Sequence, residues 1–99
     1  MSKLRTAEYA LTLLLRSEGN LVTRRGGLAG EYSIHSLDTN NNTTIYKVVL
    51  ENSYNRTINT KLIDKLIKLE TRYEVKCFIA VKIPRKGFKF IPLTDLHVK

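Results

Sequence analysis

Two short apolar runs constrain this chain more than anything else in it: Val48-Val49-Leu50, and Cys77-Phe78-Ile79-Ala80-Val81. Apolar residues at successive positions, many of them β-branched or aromatic, are the pattern of strands buried on both faces. The sheet they belong to therefore needs helices packed against it. The sequence offers two. From Ser2 to Glu18, Leu4, Ala7, Leu11, Leu14 and Leu15 recur at helical spacing, with Ser2 as a plausible N-cap and Gly19 where a C-cap belongs. Ile58, Leu62, Ile63, Leu66, Ile67, Leu69 and Tyr73 carry a second helix, with Thr57 or Asn59 as its cap.

Shorter strands fill the rest. Leu21 to Thr23 is a brief candidate, and Tyr32 to Leu37 alternates weakly. Asp38-Thr39-Asn40-Asn41-Asn42 is a turn by composition, ahead of a strand over 43–51. Asn52 to Thr60 reads as a polar connection. The apolar strand that starts at Cys77 runs on to Ile83, and a Pro84-Arg85-Lys86-Gly87 turn leads into a last strand over 88–91. The order is α-β-β-β-α-β-β, an α/β arrangement with a central mixed five-stranded sheet flanked by helices. At 99 residues the expectation is a single domain, 1–99.

Charge narrows the partner. Seventeen Lys and Arg against nine Asp and Glu give a formal net charge of +8, with a pI near 9.8. Such an excess expects a polyanion, of which nucleic acid is the commonest. No apolar run reaches the ~18 residues of a membrane span, no signal-peptide core is present, and a cytoplasmic location is expected. Cys77 reads as a small core residue. There is no P-loop, no dinucleotide-binding glycine motif and no Cys-x-x-Cys. His35, His97 and Cys77 fit no zinc spacing, so no metal or other cofactor is expected from motifs alone.

Three stretches taken together resemble the archaeal Holliday junction resolvase family of the restriction-endonuclease-like PD-(D/E)xK superfamily. They are Ala7-Glu8 through Leu13-Leu14-Leu15 to Glu18-Gly19-Asn20-Leu21-Val22-Thr23-Arg24; the strand pair Tyr32-Ser33-Ile34 and Ile45-Tyr46-Lys47-Val48-Val49-Leu50-Glu51-Asn52; and Phe78-Ile79-Ala80-Val81-Lys82 with Lys86-Gly87-Phe88-Lys89-Phe90-Ile91. The resemblance implies a restriction-endonuclease-like fold and a dimer that engages four-way junctions. It also implies a Mg²⁺ site built from a helix Glu, a strand Asp and a Glu-x-Lys on the next strand. Carried over residue by residue, Glu8 matches the helix Glu. Ser33 stands at the Asp, Val49 at the strand Glu and Glu51 at the Lys. A serine and a valine are no ligands for a hard cation, so the resemblance implies a degenerate nuclease retaining only Glu8. A two-residue slide would make Glu51-Asn52-Ser53 the signature and Asp38 the upstream acid, still without a Lys.

Binding is what such a chain would keep. Lys3, Arg5, Arg24, Arg25 and the backbone of Gly26 and Gly27 form one candidate phosphate-contacting group, and Lys82, Arg85, Lys86 and Lys89 a second. Tyr9 replaces a family Arg beside Glu8. Phe88, Phe90, Ile91 and Leu93 are the candidate homodimer surface. The expectation is a DNA-binding protein that holds branched or duplex DNA without cutting it and modulates an active resolvase. Two alternatives stand beside it: a Mg²⁺-dependent junction endonuclease, and an interaction subunit pairing with an active paralogue or another recombination or repair protein.

Overall fold

The computed structural model describes residues 3–24 and 34–96. Helix α1 (Lys3–Ser17) leads into strands β1 (Leu21–Arg24), β2 (Ile34–Leu37) and β3 (Thr43–Leu50). A 3₁₀ turn (Glu51–Ser53) and a one-turn helix α2 (Tyr54–Thr57) follow, then helix α3 (Thr60–Tyr73) and strands β4 (Lys76–Lys82) and β5 (Phe88–Pro92). The sheet order is β1-β2-β3-β4-β5. Only β3 and β4 are parallel, and α3 lies on the crossover between them. The two apolar runs are thus the two central strands, as strands buried on both faces must be.

Local chemistry sets the boundaries. Helix α1 stops at Gly19, whose φ of 92° is open to a residue without Cβ. Gly19 N–H donates to Arg16 O at 3.0 Å and Asn20 N–H to Leu15 O at 3.2 Å, which is the Schellman pattern. Helix α3 starts at Asn59, whose side chain accepts from Leu62 N–H at 2.9 Å. Of the two caps the sequence left open, Asn59 is the one used. The β2–β3 turn is fastened by the Asp38 carboxylate, which accepts from Asn40 N–H at 2.8 Å and Asn42 N–H at 2.9 Å.

The connection after β3 differs from its expected irregular form. Tyr54 and Ile58, four apart, both reach the core on the α3 side, and Ile58 N–H closes the turn onto Tyr54 O at 2.9 Å. Burying that pair on one face turns the segment into a helical loop.

Two apolar layers enclose the sheet. Ile45, Val49, Cys77, Ile79 and Val81 face α3 together with Leu66 and Leu93. Ile34, Val48 and Ala80 face α1 against Ala7, Leu11 and Leu15. Cys77 is part of the first layer. Its thiol donates to Leu66 O at 3.6 Å, and burial pushes its pKa up to about 12. It is a core residue with no nucleophilic character.

Candidate nucleic-acid interface

Helix α1 rests on β1, β2 and β3, and this places Glu8 on the underside of the helix, only 5% exposed. The β3 positions on the same side are the even ones. Val48 belongs to the α1 layer at 1% exposure, and Leu50 packs against that layer. Val49 belongs to the opposite layer, beneath α3. This corrects the expectation that Val49 faces Glu8. Side chains alternate across a strand, so a Glu-x-Lys pair serving a site beneath α1 would occupy 48 and 50. Both are apolar. Glu51, expected at the Lys position, has left the strand and opens the 3₁₀ turn as an exposed residue.

The two-residue slide fails on distance. Asp38 lies in the turn before β3 and Glu51 follows its end, so the eight-residue strand separates them by about 26 Å at ~3.3 Å per residue. Among the described residues no group of three His, Cys, Asp or Glu is placed to hold a metal ion. Among the described residues, the face of β3 that meets α1 carries Val48 and Leu50 and adds no carboxylate to the buried Glu8, a donor set that does not fit the Mg²⁺ that the resemblance implied. Ser33, Arg25, Gly26 and Gly27, and the proposed cap Ser2, lie outside the described residues.

The fold is shared with a solved nuclease. A structure of Archaeoglobus fulgidus Hjc, a Holliday junction resolvase from an archaeal hyperthermophile, superposes with a TM-score of 0.80 over 99% of this chain and 79% of its own, at 18% sequence identity. This is the restriction-endonuclease-like fold. No protein-family model and no curated protein sequence matches the chain. Among the described residues no helix is long and apolar enough to cross a membrane.

On this restriction-endonuclease-like frame the basic residues separate into groups of different character. Arg24, at the end of β1, holds its guanidinium 5.7 Å from the centre of the Tyr9 ring, a cation–π distance. Arg5 stands one helical turn before Tyr9, on the same flank of α1. Lys3, two residues before Arg5, stands on the other side of the same helix, beside Ala7 and Leu50, so Arg5 and Arg24 share this flank and Lys3 does not. Tyr9, at the place of a family Arg, carries a cation on its face instead of being one.

The second group is not one surface. The Lys82 ammonium donates to Ile83 O at 3.1 Å and to Lys86 O, and lies 5.8 Å from the Phe88 ring centre. Those contacts tie down the β4–β5 turn and remove Lys82 from the phosphate-contacting set. Lys89 pairs with Val81 while Lys82 pairs with Phe88, so these two lysines point to opposite faces of the sheet. Arg85 and Lys86 sit exposed on the turn itself. Arg85 has φ of 61°, and Lys86 N–H bonds back to Ile83 O at 3.0 Å across Pro84 and Arg85. That is a turn with Pro at its second residue and a left-handed third, a place that favours glycine.

The expected dimer residues also divide. Leu93 is buried in the α3 layer and Ile91 packs against it, so both are spent within the subunit. Phe88 and Phe90 point to the other face, where Phe88 packs at the border of the α1 layer and Phe90 lies outside it. There Tyr46, Phe78, Phe88 and Phe90 form a chain of ring contacts with centroids 5.6 to 6.1 Å apart, and Phe90 is 40% exposed. Tyr46 and Phe78 were missed in the sequence. The signal that could have found them is their parity with Phe88 and Phe90 on neighbouring strands.

Between the start of α1 and the ends of β3 and β4 opens a cleft of about 400 Å³. Ala7, Leu50 and Pro84 line it, along with Lys3, Glu51, Asn52 and Arg85.

Proposed function

We propose that this protein binds duplex or branched DNA through its phosphates and does not cleave it. The observation that carries the reading is the apolar pair Val48 and Leu50 on the face of β3 that meets α1, the helix that buries Glu8. Hydrolysis of a phosphodiester by divalent metal needs anionic oxygen ligands around the ion, and one buried carboxylate with two aliphatic side chains does not supply them. The charge of +8 and the cations Arg5 and Arg24 along one flank of α1, with Lys3 on its other side, support retained backbone binding, since such contacts need positive charge and not the catalytic carboxylates. The aromatic cluster of half-buried Tyr46, Phe78 and Phe88 with exposed Phe90 supports a homodimer, with aromatic residues at its centre as in other protein interfaces. A protein of this kind would occupy junctions that an active resolvase also recognises, and so modulate it.

The test is incubation with a labelled four-way junction, with and without Mg²⁺ or Mn²⁺, resolved on native and denaturing gels. A shifted native band with intact strands is expected. Symmetric, metal-dependent cuts would overturn the reading.

A further inference from the structure

The cleft at the end of the sheet is shaped for something other than a metal. Its floor is apolar, made by Ala7, Leu50 and Pro84, and its rim carries Lys3 and Arg85, the Asn52 amide and one acid, Glu51, so the cations outnumber the carboxylate. Lys82 also borders it, but its ammonium is turned away into the β4–β5 turn carbonyls, leaving mainly its aliphatic stem to the cleft. Neither Lys3 nor Arg85 makes a side-chain hydrogen bond or ion pair among the described residues. The volume, about 400 Å³, lies within the range of sites that enclose one small organic molecule between apolar walls and a few fixed polar groups. A flat apolar body with an anionic end matches that arrangement, and a nucleotide is such a body.

We infer that this cleft receives one unstacked nucleotide of a bulged or branched DNA, its base against Ala7, Leu50 and Pro84 and its phosphate between Lys3 and Arg85. Asn52, whose Oδ1 accepts from Ser53 Oγ at 3.4 Å, offers its amide N–H donors to the base edge. The inference rests on the DNA-binding reading and deepens it. Leu50 gains a role in it: the same aliphatic side chain that is unfit for metal chemistry makes a surface for a base. Preference for unpaired nucleotides follows, because a base that is already unstacked enters a pocket at least cost.

The test uses the full chain and three labelled DNAs: a paired duplex, the duplex with one unpaired nucleotide, and the same bulge with an abasic residue. The nucleotide bulge is expected to bind about ten-fold more tightly than the abasic bulge, the order of effect of burying one base. Leu50→Gln should bring the two bulges close to equal. Asn52→Ala, at an exposed position that the fold tolerates, should remove part of the preference. Equal binding of the two bulges by the unaltered protein overturns the inference and leaves backbone binding standing. Failure to retain any of the three at low salt overturns the DNA-binding reading itself. A free deoxynucleoside monophosphate should shift the amide resonances of Ala7, Leu50 and Asn52 only weakly. Tight binding of that nucleotide without a bulge preference would assign the cleft to a free metabolite and overturn the inference as well.

Discussion

The Arg24 guanidinium lies over the ring of Tyr9, 5.7 Å from its centre, and this contact joins the end of β1 to the outer flank of α1. An arginine held on an aromatic face loses side-chain freedom before DNA arrives, so less ordering remains to be done on binding. Arg24→Ala should therefore weaken binding to all DNA sequences alike and reduce the slope of log affinity against log salt by about one. Tyr9→Leu keeps the charge and removes its platform. It should lower affinity by a few-fold while leaving the slope unchanged. Fluorescence anisotropy over a salt series reads both. An unchanged slope in Arg24→Ala would remove that residue from the phosphate contacts.

Arg85 separates stability from binding. Its φ of 61° is a conformation that costs a residue with a Cβ about 1 kcal/mol relative to glycine. Arg85→Gly should raise the thermal midpoint by a few degrees and at the same time lower DNA affinity. Calorimetry and anisotropy on one preparation give the two numbers. A variant that gains stability and binds undiminished would show that Arg85 is a turn residue only.

The β2–β3 turn has a built-in acid sensitivity. Backbone N–H groups, that of Asn42 foremost and that of Asn40 as well, hold the Asp38 carboxyl below its ordinary value of 3.8. The folded state binds this proton less readily than the unfolded state, so the stabilisation is complete above about pH 4 and is lost as pH falls through the lower folded value. Asp38→Asn removes the titration but not the turn. Denaturation midpoints of the two proteins should differ at pH 6 and converge towards pH 2. A difference that stays constant over that range would show that charge plays no part in the turn.

At the alkaline end Cys77 acts in the opposite sense. Burial holds its thiol protonated to about pH 12 in the folded chain, whereas an exposed thiol ionises near 8.5. Stability should be unaffected below that value and decline as pH rises from there towards 12. Cys77→Ala removes this decline, and stability curves of the two proteins between pH 8 and 11 test it. In the native protein at pH 8 the thiol should resist alkylation until denaturant is added.

The order of the five strands and two long helices, the helix end at Gly19 and the Asp38 turn were legible in the sequence, and the cap of α3 was narrowed to Thr57 or Asn59, because each depends on chemistry within a few residues. The facing of β3 was not. A strand with one solvated face announces its parity by alternation, but Val48 and Val49 are both buried, one under each helix. Nothing in the run itself says which of them meets α1. Lys82 misled for a related reason: a lysine before a turn reads as solvated, and only the fold shows three carbonyl and ring contacts claiming its ammonium. Ile91 reaches the α3 layer through its pairing with Ile79, and Leu93 through the path of the chain after β5, and neither long-range placement is encoded in the local pattern.

The aromatic face makes the last prediction. Tyr46 and Phe90 pack edge to face at 5.6 Å, and Phe90 stacks on Phe88 at 6.1 Å, yet Phe90 still leaves 40% of its surface exposed. If this face is the proposed homodimer contact, its exposed centre should contribute most to association. Phe90→Asp places a charge there without disturbing the buried layers, since the residue is on the edge strand and outside both cores. The expected outcome is a monomer in sedimentation velocity where the unaltered protein sediments as a dimer, with thermal stability at low concentration little changed. Leu93→Asp is the contrast. It buries a charge in the α3 layer and should unfold the subunit, because removing the compensating apolar contacts of a buried site and adding an unpaired charge both act against the fold. A Phe90→Asp protein that still sediments as a dimer would move the interface to another surface.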